Sequence, residues 1–202
     1  MNNDWSRPFF GPILPVDDLM RIISGSAGSV PLRVPRLLTR PTTDRVRESL
    51  FSVLGDLTSQ ARVLDLFAGT GSLGLEALSR GAATADFVES QAEACEVIRK
   101  NLEKTRLTGG KVHRRDVFSF LASVRQVSYD LIFADPPYAR EESDRETLLK
   151  LLENESLPRA LAPGGLFVLE TLASDPLPTL IRWSVKEERD YGTTRIGFLV
   201  PA

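Results

Sequence analysis

An α/β fold built on a mostly parallel sheet, with helices on both faces, is what this sequence predicts. Three observations carry it. Val63, Leu64, Leu66 and Phe67 form a short, nearly unbroken apolar run, the pattern of a parallel strand buried on both faces. Similar runs ending in an acid recur at residues 85–88 before Glu89 and 129–134 before Asp135, with helical patterns between them. Residues 183–189 and 194–200 instead alternate around Gly192, as an antiparallel edge pair does.

Residues 62–74, R-V-L-D-L-F-A-G-T-G-S-L-G, organise the rest of the chain. Phe67 and Ala68 lead from the strand into Gly69, Gly71 and Gly74, and S-L-G-L-E-A-L-S-R continues with helical spacing. A strand, a glycine turn and a helix start, in that order, cradle a nucleotide-like ligand, because glycines allow close approach and the helix start offers N–H groups. The same spacing satisfies the dinucleotide fingerprint, so the ligand must be decided by chemistry. Asp65 decides it. A carboxylate just before the turn repels a pyrophosphate and attracts the ammonium and sulfonium of S-adenosylmethionine, by about 1–4 kcal/mol at short range. The competing reading is an Asp that caps the helix or is solvated.

Two further acids end strands on the same plan. Glu89 lies 20 residues beyond Gly69, where a ribose-binding acid belongs. Asp116 follows a third strand at 111–114 and faces the ligand crevice, able to accept from an adenine amino group with the Val117 N–H beside it. An N-cap for the helix at 117–121 is the competing role for Asp116.

Composition narrows the function. The chain has 202 residues and suggests one domain, 20–202, preceded by a proline-containing, aperiodic extension at 1–19 and opening with a small β-hairpin at 20–38. One cysteine, Cys95, and one histidine, His113, give no disulfide and no zinc ligand set, so no metal is expected. No apolar run spans a bilayer and no signal pattern opens the chain, so a cytoplasmic protein in a reducing compartment is the expectation. The net charge is −2, so nucleic-acid contact needs a local patch. Arg33, Arg36, Arg40, Arg45 and Arg47 supply one, with Asp44 the single acid among them and a local charge of +4. A solvated surface is the bland alternative.

The remaining elements follow in order. Thr43 caps a helix whose Val46, Leu50, Val53 and Leu54 pack inward, and Gly55 stops it. Residues 93–102 form a helix with Cys95 and Ile98 in the core. His113 packs or lies at the surface. Residues 143–152 form a helix, 163–165 a turn and 166–169 a fifth strand.

Asp135-Pro136-Pro137-Tyr138 carries the reaction chemistry. Two successive prolines end the strand and hold the chain in an extended turn. The Asp135 carboxylate and the Pro136 carbonyl are then two fixed acceptors for one exocyclic amine, and Tyr138 offers a face on which its base stacks, worth about 1–3 kcal/mol. The base must leave its own stack to enter. Positioning is the enzyme's main contribution to direct methyl transfer.

With M-R-I-I-S-G, R-P-T-T-D-R-V-R-E-S-L-F, L-D-L-F-A-G-T-G-S-L-G-L-E-A-L-S-R-G-A, F-V-E and D-L-I-F-A-D-P-P-Y in view, the chain resembles the RsmD-like family of bacterial 16S rRNA guanine-N2 methyltransferases, from Met20 almost to the end. The resemblance implies a class I methyltransferase (Rossmann-like) fold with a seven-stranded sheet and an antiparallel last pair. It implies S-adenosylmethionine as cofactor, and 16S rRNA or a partly assembled small subunit as partner, met by a monomer. It places Arg40, Thr42 and Thr43 beside the cofactor and target pocket. One departure stands out: the family's basic R-G-R-type stretch is replaced by Ser26-Ala27-Gly28-Ser29-Val30. An N6-adenine methyltransferase and a non-catalytic RNA-binding module are the alternatives. A dinucleotide oxidoreductase leaves Asp65 and Asp-Pro-Pro-Tyr without a purpose.

Overall fold

The computed structural model describes residues 20–35, 43–124, 129–137, 142–175 and 177–202. Seven strands form one sheet: β1 (Arg62–Leu66), β2 (Thr84–Glu89), β3 (Gly110–Arg114), β4 (Tyr129–Ala134), β5 (Leu161–Leu172), β6 (Trp183–Tyr191) and β7 (Thr194–Pro201). Their order is β3-β2-β1-β4-β5-β7-β6. The first five are mutually parallel, and β7 runs antiparallel to both its neighbours. The strand order therefore reverses beside β1, where an α/β sheet opens a crevice at the carboxyl ends of its strands.

Helices α1 (Asp44–Leu54), α2 (Ser72–Ser79), α3 (Ala92–Thr105), α4 (Val117–Leu121), α5 (Glu142–Leu152) and α6 (Ser156–Ala160) cover the two faces. Alternation along the strands divides the core. Val63, Phe87, Phe133 and Val168 point to the side of α1, α2 and α3, where Leu50, Leu75 and Ile98 meet them. Leu64, Val88, Ile132 and Phe167 point to the other side, against Leu121, Leu151 and Leu157. The α1 cap is as expected: Thr43 Oγ1 accepts from the Val46 N–H at 3.4 Å, and Gly55 ends the helix with φ 48°. Phe51 then sets its ring 5.8 Å from that of Phe133.

Two expectations gain detail. Within the described part of 20–38, an antiparallel bridge, Arg21↔Pro31, is flanked by backbone bonds between the two limbs: Leu32 N–H to the Met20 carbonyl and Ser29 N–H to the Ile22 carbonyl, both at 2.8 Å, and Ile22 N–H to the Val30 carbonyl at 3.0 Å. Other donors of the segment reach α2: the Ile23 and Ser24 N–H groups donate to the buried Glu76 carboxylate, and the Ala27 N–H to Ser79 Oγ. The segment is a strap across the helices. The turn expected at 163–165 lies inside β5, which is longer than 166–169 because a register shift opposite Tyr129–Leu131 absorbs the Pro-Gly-Gly sequence. Helix α6 was hidden in the sequence by Pro158, which sits in its short span.

Candidate active site

The site forms at the carboxyl ends of β1, β2, β4 and β5. Asp65, Glu89, Asp135 and Glu170 each fall two residues after a side chain of the α1–α3 core, Val63, Phe87, Phe133 and Val168. Strand alternation therefore aims all four carboxylates to one side. Asp65, Glu89 and Glu170 are buried. Register sets Ala134 beside Leu169, so Asp135 and Glu170 follow as neighbours.

Crowding acids in this way perturbs them. Burial pushes the Asp65 carboxyl up to about 7, against the pull of its Gly74 hydrogen bond and with the Glu89 charge adding to the rise. Burial first, then the charges of Glu170 and Asp65, holds Asp135 well above the usual carboxylate range. A site that raises its acids this way favours a cationic, donor-rich ligand.

The glycine turn is built from within. Its N–H groups were expected to be open to a ligand, and those of Gly69, Gly71, Ser72 and Gly74 are not. The Gly69 N–H donates to Glu89 Oε2 at 3.0 Å, Gly71 to the Ala68 carbonyl at 2.6 Å, Ser72 to Thr70 Oγ1 at 3.3 Å and Gly74 to Asp65 Oδ2 at 2.9 Å. Glu89 Oε1 also accepts from the Gln91 N–H. A pyrophosphate would find these donors taken. Gly71 and Gly74 serve packing: a Cβ at Gly74 would strike the Phe87 ring, and one at Gly71 would lie 3.1 Å from Ile98 Cγ1. Phe67 carries backbone strain at the strand end, with φ 55°.

Asp65 thus does cap the helix, through one oxygen; among the described residues nothing donates to its Oδ1. Asp116 also takes the capping role, its Oδ1 accepting from the Ser119 N–H and Oγ, while Val117 is buried beneath it. Pro136 is buried and Pro137 exposed. The expected Arg36, Arg40, Thr42 and Tyr138 lie outside the described residues, as does the 1–19 extension.

Of the arginines expected to meet RNA, Arg33 and Arg45 are exposed. Arg47 is not. It is fully buried, and its Nη2 donates to the Arg21 carbonyl and to Asp44 Oδ1, both at 2.6 Å. Its place on the inward face of α1, between Val46 and Leu50, removes it from the surface patch and makes it a tie between helix and strap. Its Nε and Nη1 have no partner among the described residues. Sequence reasoning passed over Thr70, Glu76, Asn101 and Glu170, all buried polar residues of the site or the strap. The signal for Asn101 was present: it sits three residues after Ile98, on the inward stripe of α3.

The donor set fits S-adenosylmethionine. Asp65 Oδ1 and Glu89 are acceptors of the kind an ammonium and ribose hydroxyls would need, and the acidic surroundings suit a sulfonium. Among the described residues, no group of three or more His, Cys, Asp and Glu is arranged to hold a metal, and no helix is long and apolar enough to cross a membrane.

The sheet order, the reversed β7 and an acid-lined glycine turn define a class I methyltransferase. Residues 20–200 match the family model "Conserved hypothetical protein 95". The chain is 38% identical over 175 residues to "Ribosomal RNA small subunit methyltransferase D" of Escherichia coli (strain K12), covering 86% of this chain and 85% of that one. It is 35% identical over 156 residues to the protein of the same name from Haemophilus influenzae, covering 76% and 78%. A solved hypothetical protein of Thermus thermophilus superimposes with a TM-score of 0.74 at 34% identity, over 91% of this chain and 99% of that one. The chain belongs to this RsmD-like methyltransferase family.

Proposed function

We propose that this protein transfers a methyl group from S-adenosylmethionine to the exocyclic N2 amine of a guanine in small-subunit rRNA. Methyl transfer to small-subunit rRNA is the activity for which the E. coli and H. influenzae relatives are named. The guanine N2 target rests on the resemblance of the Arg40–Phe51 and Asp-Pro-Pro-Tyr segments to that family. One observation carries the cofactor reading: the N–H groups of Gly69, Gly71, Ser72 and Gly74 are taken by Glu89, Ala68, Thr70 and Asp65, and the carboxylates among those partners edge the site for a cationic ligand.

When bound, S-adenosylmethionine supplies an electrophilic methyl carbon on a positively charged sulfur. The chain's part is to place and deprotonate the amine. Asp135 and the Pro136 carbonyl accept its two hydrogens, which turns the nitrogen lone pair toward the turn. Transfer would exchange the methyl's bond to sulfur, whose electron pair stays on sulfur, for one to the amine nitrogen; the nitrogen so methylated would be cationic and acidic, and Asp135 is placed to take its proton. A carboxylate pushed upward by burial and by Glu170 is a stronger base than an ordinary one. Exposed Arg33 and Arg45 hold the phosphate backbone at the rim.

The test maps methylated nucleotides in rRNA from cells with and without the protein, followed by the purified enzyme on naked 16S rRNA, small subunits and duplex DNA. A guanine N2 mark that depends on the protein supports the reading; an adenine N6 mark replaces it with the adenine alternative. Asp135→Ala should retain S-adenosylhomocysteine binding and lose at least about 100-fold in turnover. Unchanged turnover removes Asp135 from the mechanism.

A further inference from the structure

The strap and the glycine turn meet at one side chain. Asn101, on α3, is fully buried. Its Oδ1 accepts from the Arg33 N–H at 2.8 Å, and its Nδ2 donates to the Arg33 carbonyl at 3.0 Å and to the Thr70 carbonyl at 3.2 Å. Both amide hydrogens are used, and a rotated amide would set its oxygen against two carbonyls, so one orientation is fixed. Asn101 itself is braced, since Thr105 Oγ1 donates to its carbonyl at 2.7 Å.

The two ends of this clip belong to different ligands. Thr70 lies between Gly69 and Gly71, both in the left-handed region at φ 52° and 76°. Its neighbour Gly69 is held by Glu89, so a ligand at the acid edge bears on this backbone. Arg33 projects an exposed guanidinium, and both of its backbone polar groups are taken by Asn101. Among the described residues no other side chain bonds both strap and turn. Further back the strap is fixed to α2 by Glu76 and Ser79, and Leu32 donates to the Met20 carbonyl at 2.8 Å; at Arg33 itself both backbone polar groups are held by Asn101.

We propose that Asn101 is a positioning residue that makes cofactor affinity and RNA affinity depend on each other, by transmitting the state of the glycine turn to the backbone of Arg33. The proposal rests on the reading of this chain as an rRNA methyltransferase. Linkage requires the effect to be equal in both directions.

The experiment measures S-adenosylhomocysteine affinity by equilibrium dialysis, with and without small ribosomal subunits from cells lacking the protein. Subunits should tighten binding to the wild-type protein about fivefold or more, the low end of ordinary coupling. In Asn101→Asp, which keeps the acceptor for the Arg33 N–H and loses both donors, the ratio should fall to within about twofold of one, as an uncoupled pair requires. Arg33→Ala should weaken subunit binding yet preserve the ratio, because the clip grips backbone. A merely structural Asn101 would lower stability and both affinities while leaving the ratio intact, and that result overturns the proposal. A measurement on the unaltered protein stands beside the variants: S-adenosylhomocysteine alone should slow hydrogen exchange at the Arg33 amide, and unchanged exchange there overturns the coupling. A wild-type protein that binds both ligands with a ratio of one refutes the coupling alone. One that binds no subunits refutes the functional reading with it.

Discussion

Replacing Asp65 with Asn should stabilise the free protein at neutral pH while weakening the cofactor it holds. Asn preserves shape and keeps an oxygen to accept from the Gly74 N–H. What it removes is a buried charge. The Asp65 carboxyl titrates at about 7 in the folded chain, against an ordinary value of 3.8. The folded state therefore keeps a proton that the unfolded chain has already released, and wild-type stability falls as pH rises through that interval. Below about pH 3 the group is neutral in both states and costs nothing; above pH 7 to 8 the penalty is complete, on the order of 4 kcal/mol. The variant's advantage in midpoint temperature should grow from near zero at about pH 3 to a plateau at about pH 8. At about 2–4 °C per kcal/mol, half the full penalty would raise the midpoint by roughly 4–8 °C. Thermal unfolding followed by circular dichroism at several pH values reads this difference directly. Calorimetry should show affinity for S-adenosylmethionine reduced at least about fivefold, since even 1 kcal/mol of lost attraction has that effect. A variant less stable than wild type at pH 8, or a difference independent of pH, refutes the account of Asp65 as an uncompensated buried charge.

Other outcomes follow from the same packing and charges. Because burial and the Glu170 charge hold Asp135 above its ordinary range and the proposed role needs it ionised, kcat/KM should rise with pH through a titration lying above the usual carboxylate range; a profile whose only acid limb lies in the ordinary carboxylate range contradicts that role. Gly74→Ala puts a methyl into the Phe87 ring and 3.1 Å from Asp65 Oδ2. It should cost about 1–3 kcal/mol in denaturant unfolding and displace Asp65 from its hydrogen bond. Glu76→Ala removes the acceptor for the Ile23 and Ser24 N–H groups and for Arg80 Nε, the last at 2.6 Å. A loss of about 3 kcal/mol is expected, with faster proteolysis of residues 20–34 than of the sheet.

The sheet was legible in the sequence because its strands obey local rules. Buried parallel strands must be apolar on both faces, so Val63–Leu66 and Leu131–Ala134 announce themselves, and the acids that close them mark the crevice edge. The partnering of those acids was not legible. Whether a helix-start N–H meets a ligand or the protein's own carboxylate depends on strand register, and Asp65 reaches Gly74 across nine positions of sequence. The anchoring of the strap was hidden for the same reason. Its residues pair across the Arg21↔Pro31 bridge, yet the Ile23, Ser24 and Ala27 N–H groups go to Glu76 and Ser79, more than fifty residues away. Arg47 shows the converse limit. A guanidinium three residues before Leu50 falls on the inward face of α1, and charge alone gave no warning that the face was dry.

Cofactor choice in this fold comes down to which partner reaches the backbone donors first. A glycine turn that leaves its N–H groups open selects an anion, whatever else surrounds it. Here those of Gly69, Gly71, Ser72 and Gly74 bond inside the protein, two of them to carboxylates that also line the site. Each bond to a carboxylate does two things. It withdraws a donor that would have attracted phosphate, and it fixes beside the turn a carboxylate that repels phosphate. The same glycine spacing thus serves opposite ligands, and the difference lies in Asp65 and Glu89 at the ends of neighbouring strands. The upward push on Asp65 and Asp135 is the cost of that arrangement in the free protein, and a cation brought near either carboxylate would offset it.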